Sequence, residues 1–356
     1  MRRNVSPSHT ESTAVARFGG DPSAELRRQV KTWTDNPALA ELVDMFGGSL
    51  PQELNLSARL AFLDEFSAVW DYRGRARARG AGRLHSQDAA GAVRWLIPRL
   101  ELPGSQLDKI TVLAGELGLT GESTPEATEF DHLLVIGGGR YTNLLRAGYA
   151  REMATGRRVG HVVLAAASRR LLDSEQDAVA ACAPGAQTEF DLLVAAAADA
   201  FGLDTRRARD HRARERADRP QRDRTVWEFA PDTNDLGVPI TLLETPSPDP
   251  ENRRANSGDT YTFAAQTVGM HRSTCLLVTG QPVVPYLHFE ALRTLALPFG
   301  IRVESAGFGV ERYNRLSELD QQHPAKLLQE VRSTIRSGRA LVEQLAAPQV
   351  MPTSDG

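Results

Sequence analysis

His132-Leu133-Leu134-Val135-Ile136-Gly137-Gly138-Gly139-Arg140 decides the fold. The apolar run His132–Ile136 is short and reads as a buried strand. Three glycines follow it, where a backbone must turn sharply or approach another group closely. Thr142–Thr155 then shows apolar residues at helical spacing. Strand, glycine turn and helix together open a parallel α/β unit.

Downstream the alternation continues. A second apolar run spans Val159–Ala166, followed by a helix at Glu189–Phe201 and a strand at Ile240–Glu244. A helix (Ser257–Val268), a strand (Thr274–Thr279), a helix (Tyr286–Leu297) and a strand (Ile301–Val303) complete it. Short buried strands alternating with helices predict an α/β fold with a doubly wound, mostly parallel, Rossmann-like sheet. An amphipathic helix, Pro324–Leu345, is expected to pack on the outside.

Upstream the pattern is helical. Ala24–Thr34, Pro37–Phe46, Ser57–Val69, Ala89–Ile97 and Asp108–Leu117 carry the spacing, and Gly118 is placed to end the last. Thr120–Glu129, rich in Gly, Ser, Pro and Glu, reads as a linker. The expected organisation is a polar tail (1–20), a helical region (22–130), an α/β domain (131–310), a helical extension (311–346) and a second tail (347–356). Within the α/β part, residues 204–224 hold nine Arg and five acidic residues and read as a solvated, flexible insertion.

Composition excludes several function classes. Lys+Arg is 42 against Asp+Glu 45, without the basic excess that bulk nucleic-acid binding needs. Two cysteines, Cys182 and Cys275, exclude a disulfide scaffold and a paired CxxC zinc site. The sequence has no apolar run long enough for a membrane span, and its first residues lack the apolar core of a secretory signal. A cytoplasmic location is therefore expected.

Three segments can carry chemistry. The first is Gly137, Gly138 and Gly139, with Arg140 and Arg146 to meet an anion at the start of the next helix. It matches neither the GxGxxG nor the GxxxxGK[ST] spacing. The second runs from Leu243 to Tyr261, between a strand and a helix, at the sheet edge where parallel α/β folds bind ligands. There Glu244 and Asp259 are candidate acid–base or metal-binding carboxylates, and Ser247, Asn256 and Thr260 candidate ligand-orienting groups. Arg253 and Arg254 can clamp a phosphate or carboxylate. Asn256 or Ser257 also suits a helix cap. In the third, Thr279 and Gln281 reach the same edge, followed by Tyr286 and a candidate catalytic histidine, His288. Arg169 and Arg170 sit at that edge too. Ser168 lacks the GxSxG elbow, and neither cysteine has a histidine partner nearby.

In this order, the segments Val135–Gly139, Glu244–Thr260 and Leu277–Thr279 resemble the bacterial YdcF/SanA/ElyC-like family, over about residues 130–310. The resemblance implies a doubly wound sheet holding an anion or nucleotide-like ligand at the glycine turn. It departs from that family where a His and an Arg are expected near Val283 and Tyr286, and neither residue type is there.

Three readings follow. The first is an enzyme acting on a small phosphorylated, nucleotide-like or adenosyl-containing molecule, with Mg²⁺ possible and an S-adenosyl compound or nucleotide as ligand. The second is a non-catalytic binding or regulatory protein using the same pocket. The third is an interaction protein that docks a partner on residues 22–130. The reaction, the metal and the oligomeric state stay open.

Overall fold

A computed structural model describes residues 22–75, 97–210 and 225–347. In chain order its main helices are α1 (Pro22–Thr34), α2 (Pro37–Met45), α3 (Leu56–Phe66), α4 (Gly104–Glu116), α5 (Thr142–Thr155) and α6 (Asp173–Val179). They continue with α7 (Glu189–Phe201), α8 (Ser257–Val268), α9 (Val284–Ala291) and α10 (Pro324–Ala346). The strands are β1 (Glu129–Ile136), β2 (Arg158–Ala167), β3 (Arg209–Asp210), β4 (Val226–Phe229), β5 (Ile240–Thr245), β6 (Thr274–Gly280) and β7 (Arg302–Phe308).

The protein is α/β, with one mixed, mostly parallel sheet in the order β3-β4-β5-β2-β1-β6-β7. β5, β2, β1, β6 and β7 run parallel. β4 and β3 add an antiparallel edge. Strand side chains alternate between two cores, which is why β1 reads as a continuous apolar run. Leu133 and Val135 pack with Ala147 and Tyr149 of α5 and with Phe190 and Phe201 of α7. Leu134 and Ile136 pack on the other face with Tyr261 and Ala264 of α8 and Leu287 of α9.

Capping chemistry sets two helices to the residue. Thr188 and Asp191 close a reciprocal cap at the start of α7, and Gly202, at φ 66°, ends it. Asn256 and Asp259 do the same for α8, which ends at Gly269, φ 75°. Gly118 also takes a left-handed conformation, at φ 77°, just past α4.

The C-terminal helix departs from expectation. Rather than lying outside, α10 joins two cores. Leu327, Leu328, Val331 and Ile335 pack with Leu39, Leu42, Leu63 and Ile110 of α2, α3 and α4. Further along, Leu341 and Val342 join the core under α8 and α9. A Cβ at Gly338 would meet Val30 at 3.2 Å and Phe289 at 3.3 Å, so a glycine lets α1 and α9 close on this helix.

β3, β4 and α6 are not expected from the sequence. β4 has four residues, too few for a period to show, and α6 is mostly polar. The expected helix at Tyr286–Leu297 starts two residues earlier as α9 and passes through a wider π turn, Leu292–Ala296. Of the expected helix Ala89–Ile97 only Ile97 is described, buried in the core of α2–α4. Of the Arg-rich stretch, residues 204–210 are described: a helical turn at Thr205–Arg207 and β3. The expected tails, Ala347 apart, and residues 211–224 lie outside the described residues. Among the described residues no helix is long and apolar enough to cross a membrane.

Candidate functional site

From β1 the chain crosses to β2 on one side, and it later returns as β6 on the other. Loops leaving the carboxyl ends of β1 and β6 therefore diverge and leave a crevice between them. A cleft of about 310 Å³ occupies that position. It is lined by Gly137–Gly139 after β1, Ala165–Ala167 at the end of β2, and Gln281–Val283 after β6. The first turns of α5, α8 and α9 reach it through Thr142, Ser257 and Tyr286. Unpaired N–H groups at helix starts favour an anion.

The glycine triplet is required for space. None of the three has a positive φ; Arg140 does instead, at 49°. A left-handed conformation costs a non-glycine residue about 1–2 kcal/mol. A Cβ on Gly137 would come within 2.5 Å of Ala166 Cβ, and one on Gly139 within 2.5 Å of Glu175 Oε1. Asn143, wholly buried, fixes the turn from behind. Its Oδ1 accepts from Gly138 N at 2.8 Å and its Nδ2 donates to Glu189 O at 3.0 Å.

Six cations line the cleft: Arg73, Arg140, Arg146, Arg169, Arg254 and Lys326. Among the described residues two carboxylates do, Glu189 and Asp320. Arg169 is buried between Glu175, at 2.7 Å, and Glu189, at 2.8 Å. Burial alone would lower its pKa; the two carboxylates outweigh that and hold the guanidinium charged. Arg146 Nη1 donates to Ile136 O at 2.7 Å and Gly137 O at 3.2 Å, bracing the end of β1. Arg140 pairs with Asp320 at 3.2 Å. Lys326 Nζ donates to Leu319 O at 2.7 Å and Gln321 O at 2.8 Å. Arg73 reaches Glu330 at 2.6 Å.

Comparison with known proteins adds the family. A model of the Rv3785 N-terminal domain matches residues 17–118. The proteins called Uncharacterized protein Rv3785 and Uncharacterized protein MT3893, from Mycobacterium tuberculosis, are each 64% identical over 340 residues, 94% of this chain and 94% of theirs. Uncharacterized protein Mb3814 from Mycobacterium bovis shows the same identity and coverage. The chain belongs to the Rv3785 family. No solved structure matches it. Membership of the Rv3785 family corrects the resemblance to YdcF, SanA and ElyC: the family that matches is a different one, and its model covers the helical region that the resemblance treated as an addition. A strand ending in glycines recurs wherever a parallel sheet makes a tight turn, so such short segments do not identify a family.

In this member of the Rv3785 family, the cleft brings together Gly137, Gly138, Gly139, Arg140, Arg146, Asn256, Thr260 and Tyr286 from the sequence-derived set. Six others do not line it. Glu244 accepts a hydrogen bond from Ser168 Oγ at 2.7 Å. Asp259 accepts from Asn256 N at 2.8 Å and pairs with Arg253. Burial alone would raise its pKa, but Arg253 and the Asn256 N–H outweigh that and hold the carboxyl below its ordinary value. Asp259 and Arg253 thus serve the α8 cap. Ser247 Oγ donates to Arg253 O at 2.5 Å and closes the same loop. Thr279 is wholly buried at the end of β6.

His288 lies apart from the cleft lining. Its Nε2 donates to Gln29 Oε1 of α1 and its Nδ1 accepts from Ser305 of β7, both at 2.9 Å. Burial pushes its pKa down to about 4, so it is neutral. It clasps α9 to β7 and α1, away from the cleft lining. No group of His, Cys, Asp and Glu suited to a metal ion occurs among the described residues.

Sequence reading missed Arg73, Asn143, Asp320 and Lys326. Asn143 left a local signal, an amide in the first turn after a glycine loop. Arg73 and Lys326 left none, because they reach the cleft only through the packing of α10.

Proposed function

We propose that the protein binds a small phosphorylated or nucleotide-like anion in the cleft at the carboxyl edge of its sheet. The excess of six cations over two carboxylates among the described residues, in a crevice of ligand size, carries this reading. The strand order β5-β2-β1-β6-β7, with helices on both faces, supports reading the domain as doubly wound and Rossmann-like. We propose binding rather than a named reaction. Glu244, Asp259 and His288 do not line the cleft, and the two carboxylates that do are paired with Arg140 and Arg169.

Thermal unfolding against nucleotides, S-adenosyl compounds and sugar phosphates, each with and without Mg²⁺, tests it. A ligand at 100 times its Kd adds about 2.7 kcal/mol of stability. Arg254→Ala, in the lining, weakens the shift, and Arg253→Ala, outside it, leaves it intact. No shift with any compound, or equal loss in both variants, overturns the reading.

A further inference from the structure

We infer that residues 314–322 are a strap whose Asp320 carboxylate fills the anion position at Arg140 until a ligand anion displaces it. This deepens the anion-binding reading and rests on it. Asp320 and Arg140 both line the cleft, and Asp320 Oδ2 accepts from Arg140 Nη2 at 3.2 Å. A carboxylate on a guanidinium is the same kind of pairing that a phosphate would make there. The chain thus places an anion of its own where the ligand's would go. Ser317 Oγ donates to Asp320 Oδ2 at 2.5 Å and holds the carboxylate in place.

Polar contacts, rather than packing, keep the strap down. None of residues 314–322 is buried, while Tyr313 and His323 on either side are. Tyr313 is anchored against Phe308, with ring centres 5.3 Å apart, and His323 caps the start of α10. Between these anchors Leu316 and Leu319 leave their apolar side chains exposed. Glu318–Asp320 forms a single helical turn, in which Asp320 N donates to Ser317 O at 3.1 Å and Gln321 N to Glu318 O at 3.3 Å. A segment with so little buried apolar surface opens locally at low cost.

Two of the cleft's cations hold the strap. Arg140 holds its carboxylate, and Lys326 Nζ donates to the Leu319 and Gln321 carbonyls at 2.7 and 2.8 Å. The Arg140 contact is longer than the roughly 2.7–2.9 Å of a good charge-assisted bond. Either cation makes a stronger bond to a phosphate: Arg140 a bidentate pair, and Lys326 a bond to a charged oxygen in place of neutral carbonyls. Ligand and strap therefore compete for the same side chains, and entry of the ligand frees the turn.

Calorimetric titration of the full chain with ATP, glucose 6-phosphate and inorganic pyrophosphate tests this. For at least one of the three, Asp320→Asn is expected to bind tenfold or more tightly than wild type. Glu318→Gln, which removes an exposed charge from the same turn, is expected to leave that affinity unchanged. In the wild-type protein the same compound is expected to speed hydrogen exchange of the Asp320 and Gln321 amides at least threefold. The exchange measurement decides alone should Asp320→Asn fail to fold. Equal or weaker binding by Asp320→Asn, an equal gain in Glu318→Gln, or exchange that the compound leaves unchanged or slows overturns the strap and leaves the anion site standing. Binding of none of the three, to wild type or variant, overturns both.

Discussion

The two ends of the sheet are built from the same strands and differ in charge. At the carboxyl ends, among the described residues, cations crowd a cleft with few carboxylates to match. At the amino ends the carboxylates are held by local hydrogen bonds or one exposed ion pair. Asp131 accepts from Thr274 N at 2.8 Å and from Thr274 Oγ1 at 2.9 Å, Glu129 pairs with Arg158, and Glu304 accepts from Glu126 N at 2.9 Å. The cavity there, about 150 Å³, is lined by Glu25, Glu304, Arg302 and mainly apolar neighbours. His132 and His161 sit on adjacent strands near this end with ring centres 6.0 Å apart. Buried charges are costly unless they are paired. On the proposed reading, an outside anion completes the balance at the carboxyl end.

Removing a carboxylate from the cleft end breaks this contrast hardest. Glu175→Ala leaves Arg169 buried with only Glu189 beside it. Loss of one partner of a buried ion pair costs about 3–5 kcal/mol, read by urea unfolding. The contrast fails if Glu129→Ala, at the exposed pair on the amino end, costs as much.

Steric occlusion has a smaller effect. Gly139→Val places carbon against Glu175 and Arg169 and is expected to destabilise by about 1–3 kcal/mol. It should also abolish the ligand-induced thermal shift.

Acid sharpens the contrast most gently. Burial pushes the His161 pKa down to about 4 and also lowers that of His132. Both are neutral in the fold and take up protons more readily when unfolded. Their contribution is complete above the unfolded value of about 6.5 and is lost as pH falls below it, toward about 4 for His161, at no more than about 1.4 kcal/mol per pH unit for each. His161→Gln should flatten the pH dependence of urea unfolding over that window without changing anion binding. A slope unchanged in the variant would assign the acid sensitivity elsewhere.

Local signals made part of this legible. α5, α7 and α8 fall where the sequence puts them, and for the last two the caps Thr188 and Asn256 and the stops Gly202 and Gly269 are themselves in the sequence. The glycine turn marks its end of the cleft for the same reason. Period and edge reasoning could not say which face of an element meets the cleft. Glu244, next to last in β5, sits at the correct edge yet bonds Ser168, and His288, two residues past Tyr286, turns toward α1 and β7. Arg73 and Lys326 come together only through the tertiary packing of α10.

α10 also bears on how the gene can be cut. The family model stops at residue 118, a natural place to draw a module border. Yet the core of α2, α3 and α4 borrows Leu327, Leu328, Val331 and Ile335 from the far end of the chain. A fragment ending at that border would carry a bare greasy face, and the remainder would lose the floor beneath Lys326. The N-terminal unit is thus poorly suited to shuffling into other proteins, and inheritance is expected to keep both halves of the reading frame together.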